Sequence, residues 1–512
     1  MQHELGVRIE SAGESLMDVK DLVGLALRRN PKRAHLLVSR VLAKHVPTVP
    51  SLAIAAGMLL GAMVAERLAG LPEQGPALQR AARAMTALLR SDSLAKPALL
   101  ELREALTALA TSRPDVVTIG YAETATGLGR LVAGCIGSYY IHSTRHLAAG
   151  SRSVAAFDES HSHASSHRLL PTDDQWLRSG GTVVLVDDEL STGSTIINTI
   201  RELHRLMPQK EYIVAALVDL RTDRDRERFD ELSAMLGATI RVAALSGGRI
   251  SLSADILLRS QEFIAALPAP VAAMTADQDT AARPGSVTFV DIGTNEIDPI
   301  RSDRFGNHRP DAAGSPTAAV AAIAARIRAE LAQRAELAQG VDIAQRDGIA
   351  QRDHPGKIAR TRTAAPKDHQ TWRPEGTLVL GTEEFISLPL AVADALDEHF
   401  PVKFSTTTRS PIVALDRPDY AIASSVGFSS HDLTDDGPGP RFAYNLSRDG
   451  HRFGSIILMP EPGTDPGVLS GTGSITEALS ALCRDVVVVL LPAASPATAA
   501  SNFRQGPHAP DN

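Results

Sequence analysis

From Val116 onward, short runs of continuously apolar residues alternate with segments of helical periodicity. This alternation restricts the chain to a narrow set of folds. VVTIG (116–120), TVVLV (182–186) and YIVAALVDL (212–220) lack the apolar–polar alternation of a half-exposed sheet, and TIRVAAL (239–245) reads as a further strand. STIINTIRELHRLM (194–207) and RERFDELSAML (226–236) between them read as helices. Strands buried on both faces and separated by helices are the mark of a parallel sheet covered on both sides. The pattern resumes at Thr377 with TLVLG, FISLPLAVADALDEHF, VKFST, FGSIILMP and DVVVVLLP. A length of 512 residues accommodates more than one such unit. Aromatic residues are 4% and apolar residues 44%, so the cores must be built from Ala, Leu, Val and Ile.

The remainder of the chain is organised around these two patterns. Residues 15–110 are predicted helical from stripes such as LMDVKDLVGLAL (16–27) and LLRSDSLAKPALLELREALTAL (88–109). LAIAAGMLLGAMVA (52–65) is the most apolar run; it falls short of the ~20 residues of a membrane span and is expected to be a core helix. The expected division is a first α/β domain over 1–266, with a helical N-terminal part over 1–112. A linker with a helical segment (267–376), a second, smaller α/β domain (377–492) and a disordered tail (493–512) follow. Within the linker lie a strand-like island, SVTFVDIG (286–293), and a short repeat, IAQRDG at Ile343 and IAQRDH at Ile349, read as a solvated helix extension or a recent duplication.

Composition excludes several classes. Net charge is −7, from 52 basic and 59 acidic residues, without long single-sign blocks, which argues against non-specific nucleic-acid binding. Two cysteines, Cys135 and Cys483, are too few for a disulfide framework and lack zinc-ligand spacing, so a reducing cytoplasm is expected. The segment MQHELGVRIESAGESLMD is acidic and lacks the apolar core of a signal peptide.

VVLVDDELSTGST (183–195) carries the most specific chemistry. A buried strand ending at Asp187 delivers its acids to the carboxyl edge of the sheet, where open α/β sheets bind ligands. The small residues that follow let backbone N–H groups converge on an anion at the start of a helix near Ser194. Asp187 and Asp188 cannot share that anion's place, because like charges at short range are costly. A sugar phosphate satisfies both halves: phosphate on the amides, sugar diol on the carboxylates.

An apolar strand, Asp-Asp, two further residues and a Thr/Ser/Gly loop resemble the PRPP-binding signature of type I phosphoribosyltransferases. That signature usually has an apolar residue after the acidic pair, where this chain has Glu189. GYAETATGLG (120–129), HSTR (142–145), FDESHSHASSHRLLP (157–171) and NPKRAHLLVSRVLAKHVP (30–47) further resemble a phosphoribosyltransferase-like family found beside tellurium-resistance genes. TTTRSP (406–411) and RFAYN (441–445) resemble the two signatures of the TRSP domain that follows it. The resemblance implies a type I phosphoribosyltransferase-like parallel sheet with a hood, plus a TRSP domain.

It also implies Mg²⁺-dependent transfer of ribose 5-phosphate from PRPP to a nitrogenous acceptor, with release of pyrophosphate, in a stress-related nucleotide-like pathway. Leu190, Ser191, Thr192, Gly193, Ser194 and Thr195 would hold the 5-phosphate, with Glu189 close by. Asp187 and Asp188 would hold the ribose hydroxyls. Glu123, Thr124, Ala125 and Thr126 would face pyrophosphate, with Glu123 holding a metal-bound water. Arg145 and the hood histidines His161 and His163 would neutralise the leaving group. Mg²⁺ would be carried by PRPP and water near Asp187 and Asp188, without direct protein ligands. The expected partners are small molecules, with a homo-oligomer or a complex with other stress-cluster proteins also open.

Other readings stay open at this level. His161, His163 and His167 have HxHxxxH spacing, compatible with a hood, a surface loop or a metal site. Arg33 and His35 fit either the same site or a solvated helix face. Gly381 to Arg409 echoes Gly120 to Arg145, which suggests that the second domain is a divergent copy with its own anion site; a different strand order would refute this. A PRPP- or nucleotide-sensing regulator is the non-catalytic alternative.

Overall fold

The protein is described by a computed structural model, over all residues except 14, 30–33, 72–73, 92–95, 147–152, 159–165, 173–174, 268–283, 307–317, 351–375, 432–438, 449–450 and 495–512. The first part of the chain contains α1 (Gln2–Leu5), β1 (Val7–Ser11), α2 (Val19–Leu22), β2 (Val23–Leu27), β3 (His35–Ser39), α3 (Pro50–Leu68), α4 (Pro76–Leu89) and α5 (Lys96–Thr107). It continues through β4 (Val116–Gly120), α6 (Thr126–Ile136), β5 (Tyr139–His142), β6 (Ala155–Asp158), β7 (Ser166–Leu169), β8 (Thr182–Leu190) and α7 (Ser194–Leu206). β9 (Glu211–Asp219), α8 (Asp223–Leu236), β10 (Thr239–Leu252) and α9 (Ile256–Ala266) complete it.

The first sheet has the order β1-β10-β9-β8-β4-β5, parallel throughout except for β1 at the edge. Taken in chain order, its parallel strands follow the doubly wound order 2-1-3-4-5. The strand–helix alternation expected from Val116 onward is therefore present, and the polar stretch after β5 forms a β6–β7 hairpin.

The N-terminal region departs from its helical expectation. Residues 7–11, 23–27 and 35–39 are strands, and LMDVKDLVGLAL divides into the single turn α2 and strand β2. Tertiary pairing outweighs helical periodicity here. β2 pairs with β3 on one side; on the other, the Val413 amide donates to the Leu27 carbonyl and the Ala421 amide to the Leu25 carbonyl. By contrast α3 is a helix, its residues 50–65 all buried. Its length and composition would suffice to cross a membrane, but 83% of its apolar window is buried inside the protein. Two glycines let it pack closely: a Cβ at Gly57 would lie 2.4 Å from Leu131 Cβ, and one at Gly61 2.5 Å from Cys135 Cβ, both on α6.

The second part comprises β11 (Ser286–Asp291), α10 (Ala318–Ala350), β12 (Thr377–Gly381), α11 (Ser387–Asp397), β13 (Val402–Thr406), β14 (Ser425–Ser429) and β15 (Pro440–Tyr444). A small hairpin, β16 (Ser447–Arg448) and β17 (His451–Arg452), then β18 (Ser455–Met459), α12 (Ile475–Ser480) and β19 (Asp485–Leu490) follow. The second sheet is all-parallel, in the order β11-β19-β18-β12-β13. The island expected inside a linker is thus the edge strand of this sheet. Pro389 lies in the first turn of α11, where its missing N–H leaves no helical bond unmade. One apolar cluster runs through both parts, joining Met58, Val184, Val379 and Val487.

The two sheets correspond. β12, β13, β18 and β19 repeat the 2-1-3-4 order of β4, β5, β8 and β9, with β11 in the fifth place although it precedes them in sequence. The strand-order test therefore leaves the duplication reading standing.

Candidate functional site

Strand β8 runs three residues beyond Asp187, its partners on β9 continuing to Leu190↔Asp219. The acids therefore sit on the end of a strand rather than in a free loop. Ser191 to Gly193 then turn into α7. Gly193 has φ +70°, and a Cβ there would lie 2.4 Å from the Phe229 ring, so both backbone and space demand glycine. Phe229 is itself stacked under Arg221, whose guanidinium lies 4.3 Å from the ring centroid and pairs with Asp219 at 2.9 Å. Ile196, Ile197, Ile200 and Leu203 bury one face of α7, which fixes its N-terminus against the sheet.

Around this turn is a cleft of about 270 Å³. Asp187, Asp188, Glu189 and all residues from Leu190 to Thr195 line it, as do Ala122, Glu123, Thr124 and Arg145. Residues far apart in sequence thus meet in one cleft. Thr192 Oγ1 lies 3.1 Å from Ser194 Oγ, and Arg228 donates to Ser194 Oγ at 3.2 Å. The Asp188 amide donates to Asp187 Oδ1 at 2.9 Å. Burial, together with the adjacent Glu189 carboxylate, pushes the Asp188 carboxyl above the usual carboxylate range. The Leu190 side chain is buried, and its carbonyl accepts from the Leu220 amide at 2.8 Å.

The loop after β4 is divided. The peptide between Ala122 and Glu123 is cis, and the Ala122 amide donates to Ser143 Oγ at 2.9 Å. Glu123 is buried at the cleft and accepts from Lys44 Nζ at 2.7 Å, so an ion pair holds it. Ala125 and Thr126 are away from the cleft. Thr126 Oγ1 donates to the Glu384 carbonyl at 3.1 Å, so this hydroxyl serves the contact between the two parts of the chain.

Arg145 lines the cleft, with Nη2 3.2 Å from His167 Nε2. His167 is buried, its Nδ1 2.9 Å from Ser143 Oγ and its ring stacked on Phe157 at 5.2 Å. It supports Arg145 from the β6–β7 hairpin. His161 and His163 lie outside the described residues, as does Arg33. His35 is buried in β3. Among the described residues no group of three His, Cys, Asp or Glu side chains is arranged to hold a metal ion.

The second part mirrors this construction. The Ser143 amide donates to the Gly120 carbonyl at 2.9 Å, and the Thr407 amide to the Gly381 carbonyl at 3.0 Å. Glu383 N donates to Thr407 Oγ1 at 3.1 Å, as Ala122 N does to Ser143 Oγ. Thr144 bridges Arg168 of the β6–β7 hairpin, and Thr408 bridges Phe442 of β14–β15. HSTR and TTTR thus hold equivalent places. The second anion site expected there is filled from within: Arg409 Nε meets Glu383 at 2.7 Å, and Arg441 meets the same carboxylate. At the place of Asp188 on β8 stands Glu461 beyond β18, paired with Arg304.

Several residues of the cleft are not expected there from the sequence. Lys44 and His45 lie in a segment noted only for its resemblance, and Lys44 finds Glu123 across 79 positions. Arg28 of the N-terminal segment and Thr408 and Ser410 of the second part also line the cleft.

Residues 22–249 match the family model described as phosphoribosyl transferase, and residues 344–478 match the one described as the TRSP domain C-terminal to it. Solved structures with likeness include adenine phosphoribosyltransferase from Rhodothermus marinus, at 20% identity over 29% of this chain and 80% of that one, with TM-score 0.20. The enzyme from Trypanosoma brucei, in complex with AMP, pyrophosphate and ribose 5-phosphate, gives 13% identity over 25% and 55%, with TM-score 0.19. The enzyme from Giardia lamblia with 9-deazaadenine gives 18% over 29% and 80%, with TM-score 0.21. Comparison with curated proteins finds no match.

Proposed function

We propose that this chain, a phosphoribosyl transferase family domain followed by a TRSP domain, transfers ribose 5-phosphate from PRPP to a nitrogenous acceptor and releases pyrophosphate. The observation that carries the reading is one cleft lined by an acidic strand end, the small-residue turn into α7, the β4 loop and Arg145.

Each part has a role in that reaction. Backbone amides and hydroxyls of Ser191 to Thr195 bind the 5-phosphate, aided by the N-terminus of α7. Asp187 and Asp188 bind the ribose hydroxyls and favour positive charge on the ring as the bond to pyrophosphate loosens. The acceptor nitrogen's lone pair forms the bond to C1. The C1–oxygen bond breaks with its electrons on pyrophosphate, and the nitrogen's proton passes to solvent. Arg145 offsets charge on the leaving group. Catalysis of this kind is mostly positioning and electrostatics. The hard oxygens of Asp187 and Asp188 fit a hydrated Mg²⁺, which when bound supplies charge neutralisation at pyrophosphate. Glu189, where the general signature has an apolar residue, adds a further carboxylate beside this acid pair.

Pyrophosphate release from PRPP in the presence of Mg²⁺ and a panel of bases, alongside PRPP binding by calorimetry, tests the assignment. Release with at least one base supports it. PRPP binding without release across the panel would favour a sensor, and no binding would reject both.

A further inference from the structure

Beyond the acids and the small-residue turn, the cleft has a further stretch of wall. It is formed by Leu36, Leu37, Leu42 and His45 of the N-terminal segment, and by Thr408 and Ser410 of the TRSP signature. This stretch brings leucines, an imidazole and hydroxyls, alongside Arg28 and Lys44, to the cleft that also holds the acids and the small-residue turn. His45 is buried, and its Nε2 has no hydrogen-bond partner among the described residues. Burial, with the neighbouring Lys44 charge, lowers its imidazole to about 3, so the ring is neutral at physiological pH.

Both halves of the wall are held by the second domain. Asn445 Nδ2 donates to the His45 carbonyl at 2.8 Å, and Ser405 Oγ to the Lys44 carbonyl at 3.1 Å. The Thr48 and Phe404 backbones bridge the same segments. In the signature itself, Ser410 N donates to Thr408 Oγ1 at 3.3 Å, the Ser410 carbonyl accepts from Tyr444 Oη, and Thr408 is tied by its backbone to Phe442. Arg409 approaches Glu123 to 3.9 Å, linking the signature to the loop of the first domain. The turn that carries Thr408 and Ser410 is therefore tied on several sides, and the wall exists only when both domains are in place.

We propose that the TRSP domain is a working part of the transfer site: Thr408 and Ser410, with Leu36, Leu42 and His45, form the subsite for the acceptor, a flat, largely apolar nitrogen heterocycle. A ring slots against the leucines, and its edge meets the hydroxyls and the neutral imidazole. Such a mixed wall discriminates through its buried polar groups, which are left unpaired by the wrong ring. The proposal rests on the phosphoribosyl reading of the same cleft.

Calorimetry on the full chain with PRPP, ribose 5-phosphate and purine and pyrimidine nucleoside 5′-monophosphates separates the two. At least one monophosphate should bind wild type about tenfold more tightly than ribose 5-phosphate, the ring supplying the difference. Ser410→Ala and Leu42→Trp should each remove most of that gain, with PRPP affinity held within about twofold and melting temperature preserved. Both positions are only partly buried, and Thr408→Ser is a milder third variant should either fail to fold. A monophosphate preference that survives in the folded variants overturns the subsite, as does a wild type that binds PRPP but gains nothing from any base. Failure of wild type to bind PRPP is a different result and removes the phosphoribosyl reading itself.

Discussion

At Asp188 the proposed function and stability make opposite demands. Its carboxyl is raised by burial and by Glu189, so the folded state disfavours the ionised form. The sign follows: this group costs nothing below the ordinary carboxylate range, and its opposition to folding grows as pH rises from there and is complete above its raised value. Asp188→Asn should therefore raise the melting temperature at neutral pH while lowering turnover by about 10²–10³. A scanning melt and a pyrophosphate-release assay on one preparation check both halves. Lys44 is the opposite case. Replacing it by Met leaves the buried Glu123 carboxylate without its closest cation and should cost about 3–5 kcal/mol, read from urea unfolding. Gly193→Ala combines a positive φ with a clash against Phe229 and should abolish PRPP binding with little change in the Asp187 and Asp188 strand.

Among the elements, α3 is the least forgiving. It packs against α5 and α6 and also reaches α11 and β13 of the second part. Gly57 and Gly61 bring its backbone against α6, so Gly61→Val should overpack the interface and cost about 1–3 kcal/mol in urea unfolding. Element type was legible where burial pattern and length agreed: β4, β8, β9 and β12 read directly as buried parallel strands, and α7 and α8 as helices between them. It was illegible in residues 7–39, where β2 earns its conformation from β3 and from carbonyl and amide partners near Val413 and Ala421. Partners that distant leave no periodicity in the local sequence.

For the molecule as a whole, Glu384 is the hinge of the contact between the two parts. It accepts from Thr144 Oγ1 at 2.6 Å and from the Arg145 amide at 2.8 Å, and lies 3.7 Å from Arg304. Burial alone would raise its carboxyl, but His146, Arg304 and His142, with the Arg145 amide, outweigh it and hold the group well below the usual range. A depressed carboxyl contributes stability that is present above its unfolded value and lost as pH falls through the folded one. The gap in melting temperature between wild type and Glu384→Gln should accordingly be widest near neutral pH and shrink as pH falls below 4.5. Because one apolar cluster spans both sheets, removing residues 377–512 should leave a first domain that lacks a cooperative melt, visible by calorimetry.

The sequence by itself determined the parallel strands, the acidic strand end with its phosphate-type turn, and the echo of one α/β unit in the other. These depend on residues within a few positions of each other, where burial and turn chemistry act directly on the chain. Only the tertiary structure decided that Thr126 faces the second domain, that Glu123 is held by Lys44, and that the second unit's arginines close on Glu383. It alone brought Thr408 and Ser410 to the cleft around Asp187 and Asp188. Those outcomes come from packing two sheets around α3, which sets side chains hundreds of positions apart within hydrogen-bond reach and leaves no local pattern to read.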